Sequence, residues 1–437
     1  MATVLVYTTP ARGHLYPIMD TALCLGRRGA TVHVRTLAAD VDTVRSAGMQ
    51  ASAVDPAIEA RILDDWQVRS ARASIQRGVQ TFIDRAPLEI ADLRSAIAIV
   101  RPHVLLVDAN AWGAQAAAES SGIPWAVWQP FPLPFPSRDA PPFGPGLRPA
   151  RGALGRLRDR LLQPLVIGPL QAFLPALNQV RKEAGVAPFA HIKELYTRPP
   201  LLLYMTAEPF EYARSDWPPN VRLVGPGLWS PPSPEPVWMS ANTRPILLVT
   251  CSTEFQDDGA LVDAALAAFG NDPGVQLVCT TASVDPARFV PPPGVVVTRF
   301  VQHAVVLSRA CAVVCHGGMG ITQRALAAGV PTCVVPWVAT SSRSGDGSSS
   351  LAAAPSCRAR GSRPLVSATP SLPRARVEQA RLESPPPLQT PAAPRQRRPS
   401  SRRSVTRIAP TEGDERGLRS ARRDSRRHHR LSLQRAS

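Results

Sequence analysis

The chain has 437 residues and a formal net charge of +17, long enough for two or three domains with ample core. The charge suggests a nucleic-acid binder, but residues 338–437 hold 21 Arg, no Lys and 7 acidic residues, a net of +14, which leaves +3 for residues 1–337. A near-neutral body with a basic tail that lacks interleaved aromatics argues against specific nucleic-acid binding. Seven cysteines, at 24, 251, 279, 311, 315, 333 and 357, follow neither disulfide nor metal-site spacing and read as inert thiols. No apolar run is long enough to span a bilayer and the chain opens directly in a strand. A cytoplasmic protein is expected, with peripheral contact at a membrane surface compatible with the charge.

Thr3–Tyr7 is a first apolar strand, residues 8–14 the loop after it, and residues 16–28 a helix. Residues 30–35 give a second strand, the opening of a doubly wound parallel sheet whose ligands sit at the carboxyl ends of its strands. Residues 57–100 read mainly as helix, Val104–Val107 as a buried strand ending at Asp108, residues 112–121 as helix and residues 124–128 as strand. From Gln129 to Pro149 the chain is rich in proline and phenylalanine, too broken for regular structure and too apolar for a plain solvated loop. It either lines an apolar cavity or is a surface connector. Residues 151–184 are helical, and strands at 201–205 and 221–224 close a first domain, 1–224.

Gly225–Pro236 is proline-rich, and 225–240 is taken as a linker. A second domain, 241–337, starts with the strand Pro245–Thr250 and continues through a helix at 260–269 and strands at 275–279 and 295–297. Its most informative stretch runs from Cys311 to Trp337. Cys311–Cys315 is a buried strand, His316-Gly-Gly-Met-Gly320 a glycine turn, Thr322–Ala328 a helix stopped by Gly329 and Pro331, and Thr332–Val335 the next strand. Bare amides at a helix N-terminus favour an anion, and a diphosphate fits the span.

His316-Gly-Gly-Met-Gly-Ile-Thr322, continuing through Ala325-Leu-Ala-Ala-Gly-Val-Pro331, closely resembles the donor signature of nucleotide-sugar glycosyltransferases with two facing Rossmann-like domains, the GT-B enzymes that include plant, macrolide and glycolipid transferases. The resemblance runs from residue 1 to about Trp337. It implies an α/β fold of two such domains, the second one incomplete here. The nucleotide-sugar donor, UDP- or dTDP-linked, would be a co-substrate of the second domain, and an apolar small-molecule or lipid acceptor would lie in the first. No cofactor and no metal are implied.

His14, in Gly13-His-Leu-Tyr-Pro17 after the first strand, becomes the base that deprotonates the acceptor hydroxyl during an inverting transfer, a task suited to imidazole; otherwise it is a structural loop histidine. Asp108, followed closely by Trp112, would orient His14 and stabilise its imidazolium, or else it caps the next helix; Asn110 is its competitor. On the donor side His316 would contact a phosphate, the amides around Gly317, Gly318 and Gly320 would hold the diphosphate, and Thr322 would add a hydroxyl. Gln302 would sit beside the base, and the loop with Ser252 and Thr253 would border the phosphates or the sugar; Glu254 is unexpected in a loop that usually begins with small residues. In plant members a glutamate eight positions after the donor histidine binds the ribose; here it is Arg324, which cannot accept a hydrogen bond.

After Pro336 an Asp-Gln pair that binds the sugar should follow, and it is absent. Residues 338–437, rich in Ser, Pro, Ala and Arg, suit a disordered tail. With G or C in the free codon positions, Val338–Ser344 read one base earlier can spell Gly-Arg-Asp-Gln-Phe-Glu-Val, and residues 349–358 can spell Val-Val-Ala-Gly-Gly-Gly-Thr-Leu-Leu-Pro. A frameshift therefore accounts for the tail, against the alternative of a genuine basic arm. The competing functions are a truncated, inactive nucleotide binder and a nucleotide-sugar epimerase of the same fold.

Overall fold

The computed structural model describes residues 1–68, 71–144, 146–150 and 152–335. The expectations for Pro336, Trp337 and the tail, including the frameshift, lie outside the described residues. The first half runs β1 (Thr3–Tyr7), α1 (Arg12–Arg27), β2 (Thr31–Thr36), α2 (Val41–Ser46), β3 (Gln50–Ala53), α3 (Pro56–Glu59), α4 (Ala71–Val100), β4 (Val104–Asp108), α5 (Trp112–Ser120) and β5 (Trp125–Gln129). It continues through α6 (Ala153–Gln171), α7 (Leu174–Ala184), α8 (Glu194–Thr197), β6 (Leu202–Tyr204) and β7 (Val221–Leu223). The second half has α9 (Val237–Ser240), β8 (Ile246–Thr250), α10 (Ala260–Phe269), β9 (Gln276–Thr280), β10 (Val296–Thr298), α11 (His303–Leu307), β11 (Ala310–Cys315), α12 (Met319–Ala327) and β12 (Thr332–Val334).

The strands form two parallel sheets. One has the order β3-β2-β1-β4-β5-β6-β7, the other β10-β9-β8-β11-β12. Apolar clusters cover both faces of each sheet, which is why β8 and β9 are buried at every position and show no alternation. In each sheet the strand order reverses at one point, β1/β4 in the first and β8/β11 in the second. The register sets Tyr7 beside Val107 and Thr250 beside Cys315, so the loops that leave each pair emerge side by side. At these ends stand His14, in the first turn of α1, and Asp108, the last residue of β4, in one half, and the 251–256 segment and His316 in the other. Crevices at such switch points are where open α/β sheets bind ligands.

Several boundaries differ from the sequence reading. α1 begins at Arg12, so His14 stands in the first turn of a helix and not in a loop, with Pro17 accommodated inside. α12 begins at Met319, which puts Gly320 in its first turn. The helical stretch expected here is two helices, Ala153–Gln171 and Leu174–Ala184, bent by 49°: Pro175 has no N–H to continue an earlier helix and suits the first turn of a new one. The polar segment Gln50–Ala53, unmarked as a strand, is held by pairing with β2 at the sheet edge. The described residues between 130 and 150 form no helix or strand, but Leu133 is buried and its N–H donates to the Tyr204 hydroxyl at 3.1 Å. Among the described residues, no single helix is long and apolar enough to cross a membrane.

Candidate active site

The imidazole of His14 is mostly buried and its Nδ1 lies 2.9 and 3.0 Å from the two oxygens of Asp108. A carboxylate only accepts, so Nδ1 carries the proton and Nε2 is left as the basic nitrogen. The Asn110 amide nitrogen lies 3.5 Å from Nε2, long for a hydrogen bond. Asp108 is fully buried at the end of β4 and accepts the N–H of Asn110 at 2.8 Å and of Thr9 at 3.3 Å. Those two amides compensate its charge and fix its rotamer. Phe131, from the proline-rich segment, stacks obliquely 5.5 Å from the His14 ring, which brings an apolar wall to the base.

Behind this pair lie groups that the sequence reading did not single out. Glu89 on α4 is completely buried and accepts the N–H of Gly113 at 2.9 Å. Burial pushes its carboxyl up to about 8, with the negative charge of Asp108 acting in the same direction, so it is neutral at pH 7. Arg85, one helical turn earlier, donates to the Arg61 carbonyl and, at 3.4 Å, to the Thr9 hydroxyl. α5 can press this closely on α4 because position 113 is glycine: a Cβ there would lie 1.9 Å from the Ala86 carbonyl oxygen. Both look like solvated helix positions in the sequence; α5 covers Glu89, while Arg85 is covered against Arg61 and Thr9.

On the donor side, Gly317 has φ +94° and Gly318 caps α12, so the turn presents backbone at the helix N-terminus. The His316 ring is buried beneath it, and a Cβ on Gly318 would stand 2.5 Å from its Nε2. Burial lowers the imidazole to about 4, so it is neutral and can donate only one hydrogen bond. Its Nδ1 has no hydrogen-bond partner among the described residues and lies 4.0 Å from Asp258 Oδ2. Thr322 is also fully buried, and its hydroxyl donates to the Gly318 carbonyl at 2.8 Å. It braces the turn from below.

The loop after β8 comes close to the start of α1, where a Cβ on Gly13 would stand 3.8 Å from the Thr253 hydroxyl. Ser252 is buried and its N–H donates to Asp258 Oδ2 at 2.6 Å, while Thr253 is exposed beside Gly13. Asp258 escaped the sequence reading, although an aspartate just ahead of a helix at 260 is a recognisable capping signal. Glu254 is half-buried within electrostatic reach of His14 and Arg85, and burial raises its carboxyl. Phe255 meets Trp66 edge-on at 4.7 Å, and the Gln256 amide donates to Asp65 at 3.3 Å, so this loop touches the first half around the base. Gln302 precedes α11 and donates to the Ser230 hydroxyl at 3.1 Å. Arg324, at the position of the anticipated ribose ligand, donates instead to the Leu228 and Trp229 carbonyls. Among the described residues no three His, Cys, Asp or Glu side chains gather as metal ligands would.

Two parallel α/β sheets thus carry a His–Asp pair and a glycine turn at the carboxyl ends of the strands that flank their switch points, the architecture of a two-domain α/β protein with Rossmann-like halves. No family model matches the chain. It is 32% identical over 350 residues to 4'-demethylrebeccamycin synthase of Lentzea aerocolonigenes, covering 76% of this chain and 82% of that one. Among solved structures it resembles the glycosyltransferase of kitacinnamycin, with a TM-score of 0.60 and 22% identity over 87% of this chain and 91% of the other. It also resembles the spinosyn rhamnosyltransferase SpnG complexed with thymidine diphosphate, with a TM-score of 0.58 and 18% identity over 81% and 86%. The chain belongs to the GT-B nucleotide-sugar glycosyltransferases, of the macrolide and glycolipid type.

Proposed function

We propose that the protein transfers a hexose from a UDP- or dTDP-linked donor to a hydroxyl of an apolar lipid, polyketide or phenolic acceptor, with inversion at the anomeric carbon and without a metal ion. The observation that carries this reading is the His14–Asp108 pair, whose proton arrangement leaves Nε2 as the basic nitrogen. In the reaction His14 Nε2 takes the acceptor proton as the acceptor oxygen bonds to the anomeric carbon. The bond from that carbon to the β-phosphate oxygen breaks and the nucleoside diphosphate leaves with its electron pair. Asp108 stabilises the imidazolium that forms. The amides around Gly317, Gly318 and Gly320, at the positive end of α12, would receive the leaving charge. The thymidine diphosphate complexed with the structural neighbour SpnG supports a nucleoside diphosphate guest, and the Phe131 wall supports an apolar acceptor.

One observation favours a second reading, a nucleotide binder without turnover: the sequence after Pro336 lacks the Asp-Gln pair that the resemblance leads one to expect. The test is to incubate the full chain with UDP- and dTDP-hexoses and a panel of hydroxylated apolar acceptors, and to determine the anomeric configuration of any product. A glycoside with configuration opposite to the donor supports inverting transfer; retained configuration contradicts it. Binding of the nucleoside diphosphate with no product from any acceptor favours the second reading, and isomerised donor without acceptor identifies an epimerase.

A further inference from the structure

The segment between the two sheets is gripped from both sides at two consecutive residues. Asp20, on α1, accepts the N–H of Leu228 at 2.8 Å and of Trp229 at 2.9 Å on a single oxygen, Oδ2. Arg324, on α12, donates Nη1 to the Leu228 carbonyl at 2.8 Å and Nη2 to the Trp229 carbonyl at 2.5 Å. These four bonds satisfy the backbone donor and acceptor of both residues. The strand of chain lies hard against α1: a Cβ on Gly227 would stand 2.1 Å from the Pro17 carbonyl oxygen, and the Trp229 ring meets Tyr16 edge-on at 5.4 Å.

The two gripping helices are also the two that build the site. Asp20 lies six residues after His14 on α1, and Arg324 lies six residues after the Gly318 cap of α12, each about 9 Å along its helix axis. We propose that Asp20 and Arg324 are positioning residues, which hold the base-bearing helix and the donor-bearing helix in one register by clamping Leu228 and Trp229 between them. The inference rests on the transfer mechanism above. In-line attack needs the base, the acceptor oxygen and the anomeric carbon aligned to within about an ångström, and a misplacement of that size lowers rates by about 10²-fold. The halves touch elsewhere, through Gln323 to the Met205 carbonyl and through Gln256 to Asp65, but among the described residues only here do α1 and α12 hold the same peptide units. The planar guanidinium fork suits the task, since one side chain reaches two successive carbonyls; a lysine would reach them only as a single point donor.

Hydrogen exchange on the full chain tests the clamp apart from activity. Arg324→Met keeps the apolar stem and removes the fork, and it leaves the amides of Leu228 and Trp229 with their own acceptor, Asp20. The clamp predicts that exchange across residues 226–230 nonetheless quickens by about tenfold in Arg324→Met, and that adding Asp20→Ala accelerates it by no more than about twofold further, the non-additivity of coupled groups. In assays with thymidine diphosphate as the binding probe, kcat for transfer falls about tenfold or more while nucleotide affinity stays within about threefold, and Arg324→Lys recovers part of the rate. Unchanged exchange in Arg324→Met overturns the clamp. Faster exchange with unchanged kcat overturns its role in positioning. A wild-type chain that transfers nothing overturns that catalytic role together with the mechanism it rests on, and the exchange data then decide the clamp alone.

Discussion

The Nδ1 nitrogen of His14 bridges both carboxylate oxygens of Asp108, at 2.9 and 3.0 Å, across 94 residues of sequence. This contact converts a histidine in a helical first turn into a candidate base, because it sets the tautomer as well as the orientation of the ring.

Replacing Asp108 by Asn tests that contact. An amide can still accept one of the two backbone N–H bonds, but it can also donate to Nδ1 and move the imidazole proton to Nε2. Transfer should fall by about 10²- to 10⁴-fold, the range attached to general-base catalysis and to mis-set tautomers. Nucleoside diphosphate affinity should stay near wild type. A steady-state assay with parallel calorimetry checks both, and a kcat within threefold of wild type (about the scatter of such comparisons) would remove Asp108 from the mechanism.

Glu89 gives a pH signature. Its carboxyl is raised from 4.5 to about 8 by burial, so the folded chain holds a proton there that the unfolded chain loses above its ordinary value. The stabilising contribution is complete below pH 4.5 and is lost as pH rises through 8, by an amount on the order of a few kcal/mol. Glu89→Gln keeps an oxygen for the Gly113 N–H and cannot ionise. Thermal melts at pH 6 and pH 9 should therefore differ by several degrees less in Glu89→Gln than in wild type. Parallel slopes for the two proteins would mean that Glu89 is already ionised when buried.

Two glycines of the donor turn should respond differently to alanine. A Cβ on Gly318 meets the His316 ring at 2.5 Å, so Gly318→Ala must displace a buried imidazole directly under the turn. Nothing lies within 4 Å of a Cβ on Gly320, which is helical, and alanine there should stabilise α12 by about 0.5–1 kcal/mol. Titration with nucleoside diphosphate should show affinity lowered about tenfold or more by Gly318→Ala, since the amides are held by that packing, and little altered by Gly320→Ala. Equal affinities would place the anion elsewhere.

The strands beneath the site were legible because buried parallel strands are continuous apolar runs cut off by a polar or glycine turn, as at Tyr7, Asp108, Thr250 and Cys315. His14 and Asp108 stand after such runs, which made them candidates, while their roles as base and partner came from the resemblance to the glycosyltransferase family. The starts of α1 and α12 were misread by several residues, since neither Ala11 nor Gly318 makes a side-chain capping bond and the sequence carries no capping signal there. Glu89 and Arg85 were hidden by their chemistry, which marks them as surface residues until α5 closes over Glu89 and Arg61 and Thr9 meet Arg85. The position of Arg324 was noticed only as a departure. Its partners lie 95 and 96 residues earlier, in a linker whose path no local pattern specifies.

The most direct test of the account compares wild type with His14→Ala on two acceptors, an alcohol and an acidic phenol of similar shape. A general base matters most when the acceptor hydroxyl holds its proton tightly. The account predicts that His14→Ala lowers transfer to the alcohol by about 10²-fold or more, lowers transfer to the phenol much less, and leaves nucleoside diphosphate binding intact. Transfer to the alcohol at the wild-type rate, or equal losses on both acceptors, would contradict the assignment of His14 as the base.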